Sequence, residues 1–269
     1  MPIALVGFPL GLVIFTGLAW WKWHARGPEV EELHAFTLPI TLEGLAADRR
    51  KIEEFAAPRY AGDVQAEQGL KSMAAMIDGT LGPENAGYRM ELLPGPGNSG
   101  ENWPIIIAHA EAQDGSKPPL WIVTPYDTDP SRPDHSAVET TLAVAGGMAG
   151  QQFKRSLSFA FLPHGQQLGP QAEETRTKLQ KRIGENARVM WIEAVSWPSL
   201  LEGSRHNPSL SQWLSKEVGL VAGEATDSSS SSSWIDFKLT RGSQDEDTPE
   251  NRYRAALTVA DLIRFLATQ

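Results

Sequence analysis

The spacing of apolar positions changes several times along the chain, and each change marks a different kind of element. From Met1 to Trp21 there is no charged residue and only Thr16 is clearly polar, so this stretch matches the roughly 20 apolar residues a helix needs to cross hydrocarbon. Its flank, Trp20-Trp21-Lys22-Trp23-His24-Ala25-Arg26, sets amphipathic rings and cations together, as where a helix leaves a bilayer. No basic region precedes the apolar run and no small-x-small cleavage signal follows it, which favours an anchor over a removed signal peptide. Gly27-Pro28 then breaks the helix, and the mixed, partly acidic stretch to Thr41 reads as a linker.

Helical spacing governs Leu42 to Phe55 and Asp63 to Leu81, the second through Val64, Leu70, Met73, Ala74, Met76, Ile77 and Leu81. From Tyr88 onward short apolar runs take over and predict strands at Tyr88 to Leu93, Ile105 to Ala110, Leu120 to Val123, Leu157 to Leu162 and Val189 to Val195. Between and after them, Ala137 to Gln151, Gln171 to Ile183, Leu210 to Val221 and Asn251 to Ala267 carry helical patterns. Strands alternating with helices predict an α/β fold, a mostly parallel or mixed twisted sheet with helices on both faces. The expected organisation is a transmembrane anchor over 1–26, a linker over 27–41 and one α/β domain over 42–269. Ser228 to Ser233 is low in complexity and reads as a surface loop.

Composition narrows the function classes. A formal charge of -9 and a pI near 5.2 exclude the surplus of cations that phosphate neutralisation needs, so no nucleic-acid partner is expected. The absence of cysteine removes disulfides, thiolate nucleophiles and Cys-held zinc. No Walker loop, G-x-S-x-G elbow or H-E-x-x-H helix occurs. Gly95-Pro96-Gly97-Asn98-Ser99-Gly100 matches G-x-G-x-x-G, but Glu101-Asn102-Trp103-Pro104 and another strand follow it, where a dinucleotide site needs a helix. The neighbours Asp134-His135-Ser136 make no triad by adjacency, because triads are assembled from distant residues.

What remains is a series of polar clusters just beyond predicted strands, where open α/β sheets place their sites. They are Pro125-Tyr126-Asp127, Asp134-His135 before a helix, His164-Gly165-Gln166-Gln167-Leu168-Gly169, and Glu193 within the Val189 strand. Together with Arg59-Tyr60-Ala61-Gly62, the strand from Asn102 to Ala108 and Asp247-Thr248-Pro249-Glu250 before a final helix, this order resembles the M28 family of zinc peptidases from about Arg59 to the C-terminus.

The resemblance implies a site in which two histidines and three carboxylates hold two zinc ions and a separate glutamate is the general base. Position by position, Asp127 matches the aspartate that orients the first histidine, Asp134 matches the bridging carboxylate, and Glu193 lies where a third carboxylate is expected. Pro125 stands at the first zinc histidine, Gln166 at the general base, Gln167 at a carboxylate ligand and Ser243 at the last histidine. Proline offers no side-chain donor, and an amide neither takes a proton near neutral pH nor matches a carboxylate as a zinc ligand. Neither the catalytic nor the metal set is intact, so the expectation is a domain without a cofactor that binds or scaffolds. The alternative is a divergent zinc hydrolase using Asp127, Asp134 and Glu193 with His135 or His164.

Each residue also has an ordinary reading: Asp127 and Asp134 as caps of turns and helix starts, Gln166 and Gln167 as polar loop, and the tryptophans as packing. A carboxylate at Glu193 inside an apolar strand would need a partner or a raised pKa. The expected partners are the membrane, through residues 1–26, and a protein or peptide. Lys22 and Arg26 place the domain on the cytoplasmic side by the positive-inside rule, whereas the family resemblance implies a single-pass protein with an exported domain.

Overall fold

The computed structural model describes residues 39–95, 103–112, 117–131, 133–167, 169–203, 221–222, 234–242 and 246–268. In chain order they form helices α1 (Leu42–Phe55) and α2 (Val64–Leu81), strands β1 (Arg89–Leu93), β2 (Ile105–Ala110) and β3 (Leu120–Pro125), helix α3 (Ser136–Met148), strand β4 (Leu157–Leu162), helix α4 (Pro170–Ile183), strands β5 (Arg188–Ile192), β6 (Leu200–Gly203), β7 (Val221–Ala222) and β8 (Phe237–Thr240), and helix α5 (Pro249–Thr268). The expected anchor over 1–26 and most of the linker over 27–41 lie outside the described residues, as do the serine run and residues 210–220. Among the described residues no helix is long and apolar enough to cross a membrane.

Local chemistry sets the helix ends. The Thr41 hydroxyl accepts from the Gly44 amide at 3.0 Å and opens α1. Asp63 accepts from the Gln65 and Ala66 amides at 3.0 and 2.9 Å and opens α2, satisfying donors that have no partner within the helix. Helix α4 starts on Pro170, whose missing N–H costs nothing at a first turn, and stops at Gly184, whose φ of 79° suits a residue without Cβ.

The strands assemble into one sheet in the order β1-β2-β4-β3-β5-β8-β6-β7. Strand β3 runs parallel to β4 and β5, and β5 parallel to β8, while β2 lies antiparallel to β1 and β4, and β6 antiparallel to β8. The sheet is therefore mixed, with a parallel centre. Strands β3 and β4 are buried at every position, which is why both read as unbroken apolar runs rather than alternating ones. One face packs residues of α1, α2, α3 and α5, among them Ile52, Leu70, Met73, Val144 and Ile263, against Ile106, Ile122 and Phe159. The other face packs Leu179 and Ile183 of α4 against Ile105, Trp121 and Val123. Helices thus cover both faces, as expected.

Three features depart from the sequence reading. Strand β5 ends at Ile192, so Glu193 sits one residue past the strand and is 42% exposed at its side chain, not enclosed in an apolar strand. Val221 belongs to β7, not to the end of a helix from Leu210. Strands β6, β7 and β8 were not predicted; two to four residues each are too short for periodicity to register.

Candidate functional site

The carboxyl ends of β3, β4, β5 and β8 share one edge of the sheet, and the chain leaves that edge through Asp127, His164 to Gln167, Glu193 and Arg241. Asp127, two residues beyond β3, is buried. It accepts from the Gly165 amide at 2.7 Å and from the Gln166 amide at 3.1 Å, which fastens the β4–α4 loop to the end of β3. Burial pushes this carboxyl up to about 6, against the pull of those amides. A Cβ on Gly165 would stand 2.5 Å from Pro125 Cβ, so glycine is what lets the loop lie against the proline ring.

Gln166 uses its amide as a donor: Nε2 gives a hydrogen bond to the Glu193 main-chain carbonyl at 2.9 Å and joins the β4–α4 loop to the end of β5. Gln167 Oε1 lies 3.4 Å from His164 Nδ1. His164 is itself buried, takes a left-handed φ of 59°, and meets Trp103 edge-on at 5.5 Å between ring centroids. Burial lowers its pKa, which keeps the ring neutral.

Asp134, two residues before α3, accepts from the Ser136 amide at 2.8 Å, and its other oxygen accepts from Arg241 Nη2 at 2.9 Å. Burial works to raise its pKa, but the Ser136 bonds and the Arg241 guanidinium outweigh it and hold the carboxylate below its usual range. Glu193 is paired with Lys238 Nζ. Asp134 and Glu193 thus each have a cation from β8 or the residue just after it.

Beneath them, Arg59 is fully buried and donates from Nε to the Tyr126 carbonyl at 2.6 Å. Burial pushes its guanidinium down to about 10, opposed by the fields of Asp127 and Asp134. His135 lies in the fields of Arg59 and Arg49, and burial first, then those cations, push it down to about 4. Behind α3, Arg49 of α1 reaches Asp247 before α5 at 3.1 Å and lies 3.8 Å from Glu139 of α3.

The residues present do not fit a pair of zinc ions. Pro125 has no donor, Gln167 offers only an amide oxygen, which lies 3.4 Å from His164 Nδ1, and Asp134 and Glu193 already hold cations. Among the described residues, no group of three or more histidine and carboxylate side chains is placed to hold a metal ion. The His164 ring meets Trp103, and His164 Nε2 and His135 Nδ1 are buried without a hydrogen-bond partner among the described residues. Ser243 lies outside the described residues. Sequence reasoning missed Lys238 and Arg241, although Ile235-Asp236-Phe237-Lys238-Leu239-Thr240 alternates apolar and polar as a half-buried strand does.

No protein-family model matches the sequence, and no curated protein matches it. Solved structures do match in fold. The aminopeptidase LapA of Legionella pneumophila aligns at a TM-score of 0.60 with 14% identity, over 90% of this chain and 76% of its own. The aminopeptidase of Aneurinibacillus sp. strain AM-1 aligns at 0.61 with 11% identity, over 88% and 96%. A glutaminyl cyclase of Bacteroides thetaiotaomicron aligns at 0.54 with 11% identity, over 85% and 99%. The chain therefore has the zinc-aminopeptidase fold that its resemblance to M28 peptidases implied. At such identities the likeness reaches the fold alone, and chemistry has to be argued from the side chains.

Proposed function

We propose that this chain is a membrane-held, non-catalytic domain of M28 peptidase type, anchored by residues 1–26, with its large domain on the exported side, and that it works by binding a protein or peptide partner. The observation that carries the non-catalytic part is Gln166. At the position of the general base stands an amide whose donor is committed to the Glu193 carbonyl, and an amide cannot take a proton from water near neutral pH. The metal half of the mechanism fails as well. Without ligands to fix a zinc ion there is nothing to make a bound water acidic, and the carboxylates that could help are neutralised from within the chain. Anchoring is supported by the uncharged run from Met1 to Trp21 and its Trp-rich, basic flank. Partner binding is supported by analogy: the M28 family includes members without peptidase activity in which the fold serves recognition.

The test uses the full chain in detergent, purified without chelator. Metal content is measured by elemental analysis, and aminopeptidase turnover is assayed with added zinc. The expected outcome is zinc far below one per chain and no turnover. Near-stoichiometric zinc, with turnover that disappears in Asp134→Ala, would show a working metallohydrolase and overturn the reading.

A further inference from the structure

We infer that Lys238, Arg241 and the Gln166 amide form a clasp that cross-links the strand ends at the carboxyl edge of the sheet, in the place where the family resemblance puts metal ions. The inference rests on the non-metal reading of the site and adds a structural role to it.

A metal shared by carboxylates does two things for a protein: it balances their charge and it ties together the elements that carry them. Here both tasks have occupants. Arg241 pairs with Asp134 at 2.9 Å and so ties the exit of β8 to the start of α3. Lys238 pairs with Glu193 and ties β8 to the end of β5. Gln166 carries the link onward from Glu193 to the β4–α4 loop, and the Gly165 and Gln166 amides close it on Asp127 at the end of β3. Two serine bonds run alongside: the Val195 amide donates to Ser136 Oγ at 2.9 Å, and the Gly242 amide to Ser196 Oγ at 2.8 Å.

The links differ in weight. The Asp134 and Arg241 side chains are 21% and 31% exposed, so solvent screens them only partly. Glu193 and Lys238 are 42% and 40% exposed, and such pairs contribute little. Most of the tie therefore lies with Arg241 and Gln166. Residue type matters as much as position. An ionised carboxylate only accepts, so a glutamate at 166 would set acceptor against acceptor at the Glu193 carbonyl, whereas glutamine donates to it. In this account the amide at 166 is a working part of the fold.

The test is thermal unfolding of the full chain, with Arg241→Gln, Asp134→Asn and the two combined, and separately Gln166→Met and Gln166→Glu. Arg241→Gln is expected to lower Tm by about 4 °C, and the combined variant by clearly less than the sum of the single losses. Gln166→Glu is expected to lose more than Gln166→Met, because the first opposes a carbonyl and the second only leaves it unpaired. Additive losses for Arg241 and Asp134, or a Gln166→Glu variant as stable as the parent, would overturn the clasp. Those results would leave the non-catalytic reading standing, since that reading fails only on zinc and turnover.

Discussion

At the scale of single residues, the clearest anomaly is Glu139. It is 2% exposed in the first turn of α3, its Oε2 has no hydrogen-bond partner among the described residues, and Arg49 lies 3.8 Å away. That separation allows attraction but not a hydrogen bond, so burial, the largest influence, pushes the carboxyl up to about 7 against Arg49 and Arg252. The folded state thus holds this proton more tightly than the unfolded chain does. The cost of ionisation is absent below the unfolded value of about 4.5, grows between there and about pH 7, and is fully present above. Glu139→Gln should therefore raise stability by roughly 2–3 kcal/mol at pH 8 and leave it nearly unchanged at pH 4. Denaturant melts at the two pH values check this; an equal change at both would show that Arg49 fully offsets burial, and a loss of stability at pH 8 that it outweighs it. The sequence marks Glu139 only as a helix residue; its enclosure depends on α1 and α5 closing over α3.

At the scale of elements, the helix starts follow from local signals and the close approaches do not. Asp63 and Thr41 lie just before their helices and cap them as their residue types lead one to expect. Gly69 is different. It sits inside α2, where glycine normally weakens a helix by about 1 kcal/mol, and a Cβ there would come within 2.0 Å of the Pro58 carbonyl oxygen. The glycine is required because the chain between α1 and α2 crosses directly over the helix. Gly69→Ala should accordingly cost about 3 kcal/mol or more instead of gaining the usual helix propensity. A shift of the urea midpoint towards higher stability would show that the crossing segment moves aside freely. The same limit explains β8: its alternation is visible in the sequence, but its place between β5 and β6, which brings Lys238 and Arg241 to the site, is a property of the sheet order.

At the scale of the whole molecule, the proposal joins an aminopeptidase-like fold to an apolar N-terminal run. If residues 1–26 hold the chain in a membrane, the full chain should stay with the membrane fraction through high-salt and alkaline washes, and a chain lacking 1–26 should be released. A shortened chain that remains with the membranes would move the attachment to the folded domain or to a partner. At -9 overall the molecule offers no general attraction to anionic lipid or nucleic acid, so the proposed attachment rests on apolar contact or a specific partner.

The sequence by itself determined the fold class, the two helical layers and five strands close to their observed limits. These follow from periodicity and residue type, which act over a few neighbours. The tertiary structure decided what the remaining polar residues do. Asp134 accepts from the Ser136 amide at the start of α3, a local role its type allows, yet only the folded sheet brings the Gly165 amide to Asp127 and Arg241 to Asp134, across 38 and 107 residues of chain. Glu193 changes from an enclosed carboxylate to a paired, half-exposed one because β5 stops at Ile192, three residues before the expected end, and β8 lies beside it. Pairing between distant strands leaves no mark on either segment alone, and it is this pairing that supplies the cations at the site.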